Sequence, residues 1–437
     1  MPPAEPLPPR SFGSPACAAL AAPAPAGDAG PSVDLTSRNP FDAPSFTRYW
    51  VASITAGVGL GIQTVTVPLY LRDRVEPDER AAVIAAALVV QNLPGALLAL
   101  VGGAVADRVA RWRILVRTYL LVGAVSLVYV GLASDPTSAI WPVFPLAALV
   151  GSAAAFTNPA RQSLVPQLVG PGQLQNGVIF ANMGTMAALQ FLGPSVAGLG
   201  IDGLGLAAAF GLQALLLLLA AALFSNVRTP VTGSGSERVL ESLRSGLRYV
   251  APRPAQASLL LLGTTVGVFF IGPFTVTIPI LVPDWFGAAD KWVGLLFGCF
   301  GAGVLVGSIA LMWLPERRRG RSVILANLAG GLLLCALSQS RSLPLSASLL
   351  FVWGTAAAVF MNYVVVLLQT HTEPAMMGRV MSMYSLAFFG SMPLGYAQAG
   401  WVTTRFGVEA TLLSSGLASA AIGLLCLLGL RSVRELD

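Results

Sequence analysis

Charge is what this sequence lacks. Only 11% of its 437 residues are Asp, Glu, Lys or Arg, against 55% hydrophobic residues and a mean hydropathy of +0.73. That is too little charge to cover a water-facing surface of this size, which excludes an ordinary soluble globular protein and leaves lipid as the solvent. Lysine occurs once, at Lys291, and no G-x-x-x-x-G-K-[ST] loop is present, so built-in ATP hydrolysis is excluded. Histidine also occurs once, at His371, in the loop after the tenth apolar run. Cys299, Cys335 and Cys426 fall inside apolar runs and Cys17 near the start, which gives neither a metal spacing nor a disulfide framework; no cofactor is implied. None of the 20 acids falls near the middle of an apolar run, so no intramembrane proton carrier is evident. The net charge of +6 does not imply nucleic acid, because the bases sit in short loops between apolar runs.

Twelve runs are long enough to cross a bilayer, for which roughly 20 largely apolar residues suffice. Their limits are 47–70, 81–105, 114–133, 140–160, 177–199, 204–224, 257–282, 292–314, 322–340, 344–368, 380–402 and 408–430. With both termini cytoplasmic, only six of the 26 Lys and Arg residues fall outside: Arg72, Arg74, Arg80, Lys291, Arg341 and Arg405. Residues 1–45 are rich in Pro, Ala, Gly and Ser and predict a disordered tail without the basic start of a signal peptide. The longest interior connection, 225–256, divides the runs six and six, into bundles at 46–224 and 257–437. Within it Val239, Leu240, Leu243, Leu247 and Val250 recur at helical spacing opposite Arg238, Arg244 and Arg248, the pattern of an amphipathic helix on the cytoplasmic surface, either a mechanical link between halves or a plain tether. The halves also repeat. A shift of 202 carries Gly193, Gly198 and Gly205 onto Gly395, Gly400 and Gly407, and a shift of 210 carries Arg108, Arg111, Ile114 and Leu115 onto Arg318, Arg321, Ile324 and Leu325. The expected fold is an all-α membrane protein of twelve transmembrane helices in two pseudo-symmetric six-helix bundles.

The charged hairpin GGAVADRVARWR (Gly102 to Arg113) wedges between the second and third runs: packing glycines, an acid at the membrane edge, then three arginines. It resembles the G-x-L-A-D-R-x-G-R-[RK] loop of the major facilitator superfamily, with Gly103, Asp107, Arg108 and Arg111 in matching places and Ala110 and Trp112 departing from it. NPARQSLVPQLV (Asn158 to Val169) and GRVMSMYSLAFFGSMPLGYAQAG (Gly378 to Gly400) are similar to the branch containing enterobactin exporters and related drug and lysophospholipid transporters. The resemblance implies that Asp107 engages the start of the eleventh helix, Gly378 and Arg379, in one state of the cycle, with Arg161 a further cation. A helix N-terminus attracts an anion by its exposed N–H groups and dipole. In the second copy Arg317 replaces the acid, so the gate is asymmetric.

In the fifth helix Gly184, Gly193, Pro194 and Gly198 are similar to the glycine–proline signature of proton-driven antiporters, although Leu189 replaces one glycine and the spacing is G-P-x-x-x-G. The alternative is ordinary small-residue packing. Facilitators line their central path with helices one, four, seven and ten, supported by two, five, eight and eleven. The polar candidates there are Gln63, Thr66, Gln91, Asn92, Asn182, Gln190, Asn362 and Gln398, and the aromatic ones include Phe270, Phe274, Tyr363 and Tyr384. Amides and rings suit a large amphipathic ligand. The resemblance implies a non-enzymatic, monomeric transporter in a bacterial inner membrane, exporting a siderophore, secondary metabolite or drug by alternating access, with the proton as coupling ion. Lysophospholipid movement, or a non-transporting receptor or assembly factor on the same fold, are the alternatives.

Overall fold

The computed structural model describes residues 39–106, 110–170, 173–227, 239–311, 313, 318–373 and 376–429. Of the disordered tail expected over residues 1–45, residues 1–38 lie outside these, while 39–45 carry the short 3-10 turn Pro40–Asp42 and the start of the first helix at Pro44. Nine continuous helical stretches are long and apolar enough to cross a membrane among the described residues. Two of them, Asn176–Ser225 and Met377–Leu428, are hairpins, broken at Gly205 (φ 81°, ψ 171°) and Gly407 (φ 85°, ψ 172°). Seventeen residues of straight helix would separate two side chains by about 25 Å at 1.5 Å per residue. Yet Gln398 Nε2 donates to Ser415 Oγ at 3.3 Å, and the hydroxyls of Thr403 and Thr411 meet at 2.8 Å, so the chain doubles back at Gly407. These backbone angles belong almost to glycine alone, and the two glycines stand 202 residues apart, the interval of the sequence repeat. With each hairpin arm taken separately and the 27-residue helix Arg80–Ala106 added, the described residues form twelve spans.

In chain order the spans are Pro44–Arg72, Arg80–Ala106, Arg111–Ser134, Val143–Leu168, 174–204, 206–225, 254–286, Lys291–Leu311, Arg319–Gln339, Leu343–Thr370, 377–406 and 408–429. The fourth runs two turns beyond its expected end. Pro159 and Pro166 are accommodated within it, and Arg161, a residue that in sequence reads as a loop base, is carried on helix. The linker helix Val239–Val250 forms where the amphipathic pattern places it. It docks on the second half: Gly246 faces Met383 and the stem of Arg379, and Tyr249 and Arg253 both reach Glu373 at 3.4 Å.

Close glycine crossings hold each half together. Gly193 of the fifth span lies backbone to backbone against Gly61 of the first, and Gly272 of the seventh against Gly395 of the eleventh, an equivalent pair of spans. One partner in each crossing carries Gly-Pro, Gly193-Pro194 or Gly272-Pro273, and each is preceded by a π-helical turn, Ala188–Leu192 or Gly267–Ile271. Proline has no N–H to donate and its ring crowds the carbonyl four residues back; the wider π turn relieves that clash and bends the helix. Between halves, Gly198 and Gly301 pack on the backbones of Lys291 and Gln190, joining spans five and eight, while Gly400 meets Ala81 and Ala85, joining eleven and two.

Candidate functional site

Between the two halves lies a cavity of ≈ 470 Å³. Spans one, two, four and five supply one wall and spans seven, eight, ten and eleven the other, with contributions from three and nine behind them. Of the residues singled out from sequence, Gln63, Gln91, Asn92, Gln190, Phe270, Phe274 and Pro194 line it together. Thr66 does not: its hydroxyl bonds the Ile62 carbonyl at 3.1 Å in the packed interior. Asn362 reaches Ser308 of the eighth span at 3.3 Å, Gln398 holds its own hairpin, and Asn182 is exposed. Tyr363 and Tyr384 pack in or against a second apolar cluster under the linker helix. These six serve helix packing or surface in this state and lie away from the cavity lining.

Behind each wall sits a buried polar triad. In the first half Gln213 of the sixth span donates to Ser126 of the third at 2.8 Å and to Gln63 of the first at 3.3 Å. In the second half Thr265 of the seventh donates to Asn327 of the ninth at 3.3 Å, and Asn327 to the Ser419 carbonyl of the twelfth at 3.2 Å. The helix numbers are equivalent, and Gln63 and Thr265 are again 202 residues apart. Polar groups in lipid must be satisfied internally, and each triad ties three spans to one another. Gln63 and Asn327 also line the cavity, so each triad fixes the rotamer of one wall residue.

At the face opposite the linker helix the halves are pinned by ion pairs. The Arg72 guanidinium, 8% exposed, binds Asp290 in a two-pronged contact of 2.7 and 3.0 Å, donates to the Pro279 carbonyl at 3.3 Å, and is braced by its neighbour Asp73. Lys291 meets Asp202 at 2.8 Å and Arg80 meets Asp284 at 3.7 Å. Each joins an N-terminal-half element to a C-terminal-half one. Pro68 and Thr275 line the cavity, and Arg72 and Pro279 are each four residues further along the same helices, about 6 Å at helical rise. The ion pairs therefore roof the cavity one turn above it. At the other end the lining includes the exposed residues Asn158 and Phe389. In sequence Arg72, Arg80 and Lys291 read only as loop bases. Nothing local distinguishes them, because their partners lie between 89 and 218 residues away; the isolation of the sole lysine is the one available signal.

The charged hairpin is described in part. Gly103 lies in the last turn of the second span, while Asp107 and Arg108 lie outside the described residues. Arg111 crosses to the Ser163 carbonyl of the fourth span at 2.8 Å, and the Arg161 carbonyl accepts from Tyr49 at 3.1 Å. Gly378 and Arg379 form the start of the eleventh span, beneath the linker helix, and Gly184 packs on Trp50 of the first.

Solved transporters share this architecture. The nucleoside transporter NupG superposes with a TM-score of 0.68 at 13% identity, over 88% of this chain and 98% of that one. The peptide transporter POT in complex with alafosfalin superposes with a TM-score of 0.70 at 15% identity, over 93% and 100%. In sequence, the enterobactin exporters EntS of Escherichia coli (strain HS) and Escherichia fergusonii are each 26% identical over 402 residues, covering 90% of this chain and 93% of theirs. The family model of transmembrane secretion effectors matches residues 35–437. The protein is a multi-pass, non-enzymatic membrane transporter, and it belongs to that family, in the enterobactin-exporter-like branch of the major facilitator superfamily.

Proposed function

We propose that the protein exports a small amphipathic molecule, a siderophore, secondary metabolite or drug, across a bacterial inner membrane in exchange for protons. The observation that carries this reading is the inter-half cavity, sealed at one face by ion pairs and bounded at the other by exposed residues. Such a compartment suits alternating access, in which the halves rock about a central site. With both termini cytoplasmic, the sealed face is the outer one and the state inward-open. The secretion-effector family and the two exporter relatives support the outward direction.

The parts then take roles. Gln63, Gln91, Asn92, Gln190, Phe270 and Phe274 bind the substrate. Gly193-Pro194 and its π turn, packed on Gly61, give the fifth span a pivot beside the cavity. Asp107 is the inner latch, held against the start of the eleventh span when the outer side opens. The described lining contains no acid, so proton exchange would use carboxylates at the membrane edges. Accumulation of candidate siderophores and lipophilic drugs, in cells with and without the protein and with and without an uncoupler, tests the reading. Lower accumulation that depends on the proton gradient supports it; gradient-dependent uptake rejects it.

A further inference from the structure

The cavity wall is ring-rich on the second half and amide-rich on the first, with Asn327 the one amide on the ring side and Tyr119 the one ring on the amide side. Phe270, Phe274, Phe297, Phe300 and Trp353, from spans seven, eight and ten, form one continuous ring cluster with centroids 4.6 to 5.6 Å apart. The facing wall, from spans one, two, four and five, presents amides: Gln63, Gln91, Asn92, Asn158 and Gln190. Every described lining residue is uncharged. Arg161 is within electrostatic reach of the lining residue Tyr119 but is not itself part of the wall.

Two details narrow what fits. Three of the five ring contacts are edge to face, at 60° for Phe274 on Phe297, 83° for Phe274 on Trp353 and 66° for Phe300 on Trp353, and the other two are tilted at 46° and 43°. Each edge-to-face contact gives one ring's negative face to its neighbour's edge, which leaves fewer faces free to hold a cation. Opposite them Gln63 is 4% exposed, its Oε1 accepts from Gln213, and its Nε2 has no partner among the described residues. An enclosed amide donor without a partner costs free energy that a small turn of the Gln63 side chain toward a guest oxygen would recover. A charged guest would gain no counter-ion from either wall, and burying an unpaired charge is far more costly than burying a ring.

Building on the reading of this cavity as the substrate site, we infer that it selects an uncharged, ring-bearing molecule, seated with its rings on the second half and an oxygen-bearing edge on the amides of the first. The cavity's volume lies within the range usual for small-molecule sites. Translocating such a guest moves no charge of its own.

The test is binding, so it does not depend on transport. The full chain in nanodiscs is titrated with N-phenyl-1-naphthylamine, with its sulfonated counterpart 1-anilinonaphthalene-8-sulfonate, and with ethidium as a ring-bearing cation. Affinity is read from the ligand-induced rise in unfolding midpoint at measured free concentrations. The neutral amine is expected to bind at least about tenfold more tightly than either ion, the least that an unpaired buried charge should forfeit. Phe274→Leu, chosen because it keeps most of the volume, and Trp353→Leu should each weaken the amine about three- to tenfold through lost ring contacts. Gln63→Leu should weaken binding of 2,7-dihydroxynaphthalene about tenfold more than binding of the amine, as loss of a buried hydrogen bond to the hydroxyl does. Equal or tighter binding of the sulfonate or of ethidium overturns the inference, as does amine binding indifferent to both ring substitutions. If the binding pattern holds while cells show no export, the export reading fails and the site assignment stands.

Discussion

Replacing Asp290 with Asn should loosen the roof of the cavity without unfolding the protein. Asp290 is the one carboxylate that carries the buried Arg72 guanidinium across to the second half, since Asp73 belongs to the same half as Arg72. Removing one member of a buried pair commonly costs about 3 to 5 kcal/mol when the other is left alone. Here Arg72 keeps Asp73 and the Pro279 carbonyl, and the Asp290 side chain is 30% exposed, so about 2 kcal/mol is the reasonable share. That energy is held only while the halves touch at this face, and about 2 kcal/mol moves the balance of open and closed states roughly 30-fold. Spin labels at Ala139 and Ser342, exposed positions on the same face of opposite halves, report the separation by pulsed dipolar spectroscopy in a cysteine-free background. The short-distance population should dominate in the parent and give way to a longer one in Asp290→Asn. Asp73→Asn, which leaves the crossing contact in place, should change the distribution far less. Identical distributions in the parent and Asp290→Asn would refute the argument that this pair holds the halves together.

Other substitutions separate backbone geometry, pivot and latch. Gly407→Ala should destabilise the chain by about 1 to 3 kcal/mol through backbone strain alone, because a methyl there meets nothing within 4 Å, and a lowered unfolding midpoint in detergent would show it. Pro194→Ala should slow efflux more than it weakens substrate affinity, since the bend serves rocking; equal losses in both would place the effect in the cavity wall. Asp107→Asn should abolish or severely slow transport in reconstituted vesicles at normal membrane abundance, and full activity would end its assignment as a latch. Removal of residues 1–38 should leave transport intact, given their Pro- and Ala-rich composition, with assay at matched abundance.

The twelve spans and the repeat were legible because lipid imposes a single strong rule, a run of apolar residues of fixed minimum length. The same rule explains where span limits slipped: Arg161 reads as the start of a loop, yet the helix carries it two turns onward to Leu168. Gly205 and Gly407 were visible as a repeat spacing, but only the backbone shows that each is the apex of a hairpin. The polar candidates divided by a fact that composition does not hold, the direction each side chain takes from its helix. Gln63 and Thr66 are three residues apart on one span, yet one faces the cavity and the other its own backbone. Gly272-Pro273 escaped notice beside Gly193-Pro194 because the second copy places its proline on the seventh span, not on the equivalent eleventh, so aligning the repeats does not reveal it. The roofing ion pairs depend wholly on tertiary proximity between residues 89 to 218 positions apart.

The account rests on a cavity that opens alternately to the two sides as the halves part at the Arg72–Asp290 roof, and tethering that roof tests it most directly. Cysteines at positions 72 and 290, in a chain otherwise free of cysteine, can be joined by a short cleavable bifunctional thiol reagent in proteoliposomes loaded with substrate. Transport should be present before cross-linking, fall to the protein-free rate once the halves are tied, and return when the linker is cleaved. Undiminished transport across a quantitatively cross-linked roof would contradict alternating access at this face.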